Sequence, residues 1–209
     1  MVRRVDWTLY FVADVSAAGS RDIVAVVEAA AEGGVTAVQL RAKNLGTRDF
    51  LEVARRLVER LTARRVPLLV NDRVDIALAC GAAGVHLGQD DLPLADARRL
   101  LGRNRTIGLS VNTLREAREA ETAGADYIGL GPIFATATKA TTLPILGAEG
   151  LGWIRTKVKL PIIGIGGVNE ENARRLVEAG ADGVAVVSAI MDAPDPAAAA
   201  RRLRLAIGH

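Results

Sequence analysis

Short apolar runs alternate along the chain with longer stretches whose apolar positions recur at helical spacing. The run Gly34-Val-Thr-Ala-Val-Gln-Leu40 returns in form as Gly81-Ala-Ala-Gly-Val-His-Leu87, Gly124-Ala-Asp-Tyr-Ile-Gly-Leu130 and Gly180-Ala-Asp-Gly-Val-Ala-Val186. Each copy follows an Ala- and Glu-rich helical stretch, so the leading glycine predicts a helix C-cap and the apolar end a buried strand. The copies begin 47, 43 and 56 residues apart, too long for one strand–helix unit and suited to two. Further apolar runs fall between them at Val66–Val70, Thr106–Ser110 and Pro161–Ile165, and Leu9–Ala13 precedes the first copy. The pattern predicts eight strands.

Helical patterning fills the gaps, over Arg21–Glu32, Thr47–Arg65, Val74–Ala82, Pro93–Leu101, Thr113–Ala123, Ala148–Val158, Asn169–Ala179 and Pro196–Ile207. Start signals are Thr47 ahead of Asp49, Thr113 with Glu116 as a capping box, and Asp195 before Pro196. Strict alternation of strand and helix requires parallel strands. Eight such units in a chain of 209 residues predict one domain, residues 1–209, folded as a closed (β/α)8 barrel. An open doubly wound sheet is the alternative, but Gly-x-Gly-x-x-Gly is missing after the first strand.

Composition narrows the function classes. Half of the chain is apolar, enough for a substantial core. The 27 Lys and Arg are interleaved with 24 acids and only 3% of residues are aromatic, so no basic, aromatic surface for nucleic acid is expected. Cys80 stands alone in an apolar run, which excludes a disulfide framework. Leu9–Ala13 is too short for a signal-peptide core, and no long apolar span predicts a membrane helix. The expectation is a soluble, cytoplasmic protein without nucleic-acid or membrane partners. Its oligomeric state stays open, a homodimer among the options.

In such barrels the active site lies at the C-terminal ends of the strands. Those ends carry Gln39, Arg41 and Lys43 after strand two, Asn71-Asp72-Arg73 after strand three, and His86-Leu-Gly-Gln-Asp-Asp91 after strand four. Ser110-Val-Asn112 follow strand five, Gly166-Gly167 strand seven, and Val187-Ser188 strand eight. Strand six opens into Gly131-Pro-Ile-Phe-Ala-Thr-Ala-Thr-Lys139 and a connection running to about Gly147, a length that suggests a binding loop. Thr136, Thr138 and Lys139 supply hydroxyls and a cation suited to phosphate oxygens.

Three clusters follow. Gly166-Gly167 with Ser188 fits the common barrel phosphate site, although a turn alone also explains the glycines. Arg41, Lys43 and Lys139 would serve a more highly charged group such as pyrophosphate, or stand as solvated rim charges. Asp72 and Asp91 suit a hard cation such as Mg2+, or pair with neighbouring bases at the surface. His86 lies within its strand and is expected to pack or hydrogen-bond inside the barrel. No Ser-His-Asp or Cys-His nucleophile set is evident, and two histidines do not make a zinc site.

Val38-Gln-Leu-Arg-Ala-Lys43, Val70-Asn-Asp-Arg-Val-Asp75, Gly84-Val-His-Leu-Gly-Gln-Asp-Asp91, Gly129-Leu-Gly-Pro-Ile-Phe-Ala-Thr-Ala-Thr-Lys139 and Ile165-Gly-Gly-Val168 together resemble the thiamine-phosphate synthase family. The resemblance runs in order from about the first strand to Ile190. It implies a (β/α)8 transferase that joins an aminopyrimidine methyl diphosphate to hydroxyethylthiazole phosphate and releases pyrophosphate with Mg2+. It further implies that Gln39, Arg41, Lys43, Asn71 and Lys139 hold the pyrimidine diphosphate, with Ser110 beside the leaving group. Asp72 and Asp91 would bind the Mg2+. Thr136, Thr138, Gly167, Val187 and Ser188 would take the thiazole phosphate.

Two departures from the family pattern fall in the long loop after strand six: Ala135 stands where the family usually has a proline, and Ala140-Thr141 where it often has a charged pair. The nearest rival is the similar thiazole tautomerase, which relies on a histidine where this chain has Asn112 and tends to lack an acid at the Asp72 position. A non-catalytic phosphate-binding barrel would need neither the acidic pair nor the cations. A phosphosugar isomerase would need an acid–base pair that is not evident here.

Overall fold

The computed structural model describes residues 5–136 and 143–208. Eight parallel strands close into a barrel in sequence order, β1 (Leu9–Asp14), β2 (Ala37–Arg41), β3 (Leu68–Asn71), β4 (Gly84–Leu87), β5 (Thr106–Val111), β6 (Tyr127–Leu130), β7 (Ile162–Ile165) and β8 (Gly183–Val186), with β8 pairing back onto β1. The helices between them are α1 (Ile23–Glu32), α2 (Thr47–Ala63), α3 (Val74–Cys80), α4 (Leu94–Leu101), α5 (Leu114–Ala123), α6 (Gly147–Arg155) and α7 (Ala173–Glu178). A short α8 (Ser188–Met191) and α9 (Pro196–Ile207) follow β8. The expected closed (β/α)8 barrel is therefore present, and the open sheet is excluded.

The strand residues divide into two sets with period two, because successive side chains point to opposite faces. Leu9, Phe11, Val38, Leu40, Leu68, Val70, Val85, Ile107 and Ile128 belong to the larger core beneath the helices. Tyr10, Val12, Ala37, Leu69, Tyr127, Ile163 and Ala185 form a second core with Trp7, inside the barrel. The same alternation decides what reaches the mouth. Gln39 and Arg41 share the inward face of β2 with Ala37, and Asn71 shares that of β3 with Leu69.

Both tyrosines of the chain are consumed in the interior, where Tyr10 and Tyr127 meet edge-on with ring centroids 5.9 Å apart and Trp7 packs 4.1 Å from Tyr127. Small residues on the neighbouring strands make the space. A Cβ at Gly108 would enter the Tyr127 ring, and one at Gly129 would come within 3.0 Å of the His86 ring.

Helix boundaries follow local chemistry. Thr113 caps α5 through a complete capping box with Glu116, and Asp195 caps α9 ahead of Pro196, as the sequence predicts. Thr47 is the first helical residue of α2 and the cap is Gly46, so Asp49 is the working start signal there. The helix expected from Asn169 begins only at Ala173. Asn172 accepts from the Asn169 N–H at 2.9 Å and donates to the Gly167 carbonyl at 2.9 Å, holding the intervening residues in a turn instead. The four-residue α8 was not expected from the pattern.

Candidate active site

A cavity opens at the C-terminal ends of the strands. Of the residues singled out from the sequence, it is lined by Gln39, Arg41, Asn71, His86, Ser110, Asn112, Thr136, Gly166, Gly167, Val187 and Ser188. Thr138 and Lys139 lie outside the described residues. Lys43, Asp72 and Asp91 stand beside the cavity rather than in its lining, on the segments that follow β2, β3 and β4.

Arg41 is aimed by a partner the sequence reading passed over. Asp14 ends β1, directly opposite Arg41 in the parallel register, and the two form a close ion pair. Asp14 is 4% exposed, and its other carboxylate oxygen accepts from the Ser16 N–H at 2.9 Å and the Ser16 hydroxyl at 2.6 Å. Each carboxylate oxygen thus has a defined donor, which fixes where the guanidinium sits. The signal was available: Asp14 is a charged residue at a strand end, like those that were chosen.

The acidic cluster has a clear electrostatic character. Lys43 Nζ lies 2.9 Å from Asp72, and Asp91 accepts the Gly88 N–H at 2.6 Å. Burial pushes the Asp72 carboxyl above its ordinary value, the neighbouring Asp91 adds to that rise, and Lys43 opposes it. Two carboxylates held together against their mutual repulsion are a fit for a divalent cation. Among the described residues no third His, Cys, Asp or Glu joins them, so the pair would leave most of the coordination sphere to other oxygens.

The base of the long β6 connection is anchored. Ile133 and Phe134 donate backbone N–H bonds to Ile165 and Gly166 at 2.9 Å each, and the Asn112 side chain donates to the Gly131 carbonyl. Asn112 is therefore tied into the loop base, at the position where the rival tautomerase carries its histidine. Gly166 and Gly167 take φ values of 100° and 64°, a left-handed backbone that favours glycine. They pack against Pro132 and the Phe134–Ala135 segment, so the β7 turn and the loop base form one wall.

A family model for thiamine monophosphate synthase matches residues 9–190, from β1 through the last strand to α8. The chain belongs to the thiamine monophosphate synthase family. The match spans every strand end just described. A thiamine-phosphate synthase from Syntrophomonas wolfei is 51% identical over 199 residues, covering 95% of each chain. One from Albidiferax ferrireducens is 53% identical over 196 residues, 94% of this chain and 90% of its own. A solved structure of thiamine phosphate pyrophosphorylase from Pyrococcus furiosus superposes with a TM-score of 0.89 at 40% identity, covering 97% of this chain and 96% of the other. An orotidine 5'-phosphate decarboxylase from Pyrococcus horikoshii, 19% identical with a TM-score of 0.71, shares the barrel alone.

His86 hydrogen-bonds inside the barrel as expected, and its Nε2 lies 2.9 Å from the Ser110 hydroxyl. Strand order hides this pair, because the two residues are 24 apart and meet only when β4 and β5 align. The third member of a triad is not a carboxylate: His86 Nδ1 meets the Tyr127 hydroxyl at 2.7 Å.

Proposed function

We propose that this chain is a thiamine-phosphate synthase, a transferase that joins an aminopyrimidine methyl diphosphate to hydroxyethylthiazole phosphate with release of pyrophosphate. The observation that carries the reading is the convergence on one barrel mouth of Arg41, the adjacent Lys43–Asp72–Asp91 cluster and the Gly166–Gly167 wall with Ser188. That arrangement suits two anionic substrates of unequal charge.

Arg41, oriented by Asp14, and Lys43 take the diphosphate, with Lys139 from the loop as a further cation. Gln39 and Asn71 hold the pyrimidine, and Ser110 stands beside the leaving group. Gly167, Val187, Ser188, Thr136 and Thr138 receive the thiazole phosphate. Asp72 and Asp91 would hold Mg2+, which when bound supplies positive charge to the leaving pyrophosphate.

In the reaction the pyrimidine amino group donates electrons toward its methylene carbon. The carbon–oxygen bond to the diphosphate breaks, and the electron pair leaves with the phosphate oxygen. The thiazole nitrogen then gives its lone pair to the methylene carbon, forming the new carbon–nitrogen bond. No covalent bond to the protein is needed. The residues act by holding both reactants in line and by placing fixed charge where negative charge develops.

The test is to incubate the purified chain with both substrates, with and without Mg2+, and to follow thiamine phosphate and pyrophosphate. Equimolar formation of the two products, lost on chelation and restored by Mg2+, is the expected result. Consumption of a thiazole isomer without pyrophosphate release would instead support the tautomerase.

A further inference from the structure

A chain of hydrogen bonds runs along the barrel side of the cavity, with one member enclosed behind it. Gln39 Nε2 donates to the Tyr10 hydroxyl at 2.9 Å, and the Tyr10 and Tyr127 hydroxyls are 2.9 Å apart. Tyr127 meets His86 Nδ1 at 2.7 Å, and His86 Nε2 meets the Ser110 hydroxyl at 2.9 Å. Gln39, Tyr10, His86 and Ser110 all line the cavity, whereas Tyr127 is wholly enclosed. Nothing in the reaction as described above uses Tyr10, Tyr127 or His86.

Counting protons gives the chain a direction. Burial holds both phenols above their ordinary value, so each keeps its single proton and donates only once. Tyr10 accepts from Gln39, which leaves its own proton to give, and the Tyr127 hydroxyl is within reach to take it. Tyr127, having accepted, donates to His86 Nδ1. That nitrogen is then bare, the imidazole proton is on Nε2, and it points at the Ser110 oxygen. Having accepted from Nε2, Ser110 is left with its own O–H to donate. Gln39, its amide nitrogen engaged, is left with its carbonyl oxygen as an acceptor. Reversal of the whole series would leave Nε2 bare with Ser110 donating its proton to it, the arrangement of a base-activated nucleophile.

We propose that Gln39, Tyr10, Tyr127 and His86 form a one-way hydrogen-bond chain that sets Ser110 as a donor into the cavity and keeps His86 from serving as its base. Tyr127 and His86 are positioning residues. The proposal rests on the synthase reading for the consequence, since a hydroxyl aimed as a donor stabilises a departing oxyanion and one aimed as an acceptor opposes it. The direction rests on the hydrogen-bond geometry together with the protonated state of the two buried phenols.

Two measurements separate these. The chain has only two histidines, so two-bond nitrogen–proton correlation spectra of imidazole-labelled protein, with His209→Ala to assign the other signal, read the His86 tautomer directly. A protonated Nε2 and bare Nδ1 are expected. The opposite tautomer would overturn the proposal whether or not the protein is a synthase.

The second measurement is a double-mutant cycle on turnover. Tyr127→Phe should lower kcat by about tenfold with the Michaelis constant for the diphosphate little changed, but lower it less than about twofold when Ser110→Ala is already present. Equal losses in both backgrounds would mean that the phenol acts on packing alone, and the proposal would fall. His86→Leu, which removes the bond to Ser110 outright, carries the same cycle should Tyr127→Phe not fold. An inactive parent protein would overturn the synthase reading together with the role given to Ser110.

Discussion

Asp72 holds a backbone φ of 61°, in the left-handed region that aspartate and asparagine tolerate better than most residues. Its amide donates to the His86 carbonyl at 2.9 Å, which ties the carboxylate to β4 and brings it to Asp91. Asparagine is thus the substitution that removes charge without disturbing the turn. Asp72→Asn and Asp91→Asn are each expected to cut turnover by about 100-fold, close to 2.7 kcal/mol of barrier, and to raise the Mg2+ concentration needed for half-maximal rate. Near-normal rates with unchanged Mg2+ dependence would remove both residues from the metal site. The two phenols allow an equally direct test at this scale. Their pKa values are raised by burial, so their contribution to stability is fully present below the unfolded value near 10.0 and is lost as pH rises above it. Because these are the only tyrosines, tyrosinate absorbance should stay absent from the folded protein at pH values just above 10.0 and appear together with loss of the circular dichroism signal. Reversible ionisation near the ordinary value with the fold intact would contradict the buried network. Single residues also show what sequence reveals and what it hides. Gln39, Arg41, Asn71 and Ser110 could be found because a polar side chain at the end of an apolar strand conflicts with burial. Tyr10 and Tyr127 resemble ordinary core residues, and only the closed barrel brings their hydroxyls together.

The wall formed by the β7 turn and the base of the β6 loop is the element on which the thiazole phosphate reading depends. Gly167 sits at a φ of 64° with no room for a side chain on the loop side, where Phe134 and Ala135 approach. Gly167→Val therefore strains the turn and pushes the loop outward at once. The expected outcome is a Michaelis constant for the thiazole phosphate raised by about tenfold or more, with a smaller change for the diphosphate, since each tenfold loss is about 1.4 kcal/mol. A selective effect on the diphosphate would exchange the two anion sites. The element boundaries show the limit of pattern reading. Apolar periodicity placed α5 and α9 closely because Thr113 and Asp195 cap them with their side chains. It extended α7 too far toward its start, because Asn169 and Asn172 bond to backbone groups and compete with the helix.

Across the whole molecule, closure of the sheet converts eight strand ends, scattered along the sequence, into a single ring of charge and polarity. The repeat of glycine-led strands made that closure readable, since strict alternation in a chain of this length leaves few other arrangements. What the repeat does not contain is the pairing between adjacent strand ends, Asp14 with Arg41 and His86 with Ser110, which depends on register. The proposed reaction asks this ring to stabilise departing charge and not to supply a nucleophile. The most direct test compares single-turnover rates for the natural pyrimidine diphosphate and an analogue with trifluoromethyl in place of the ring methyl, under conditions where chemistry limits the rate. If the carbon–oxygen bond breaks first, the electron-poor ring should slow the step by several orders of magnitude, about 1.4 kcal/mol for each tenfold, while binding is nearly unchanged. Comparable rates for the two substrates would mean that the thiazole nitrogen displaces the diphosphate directly, and would contradict the account.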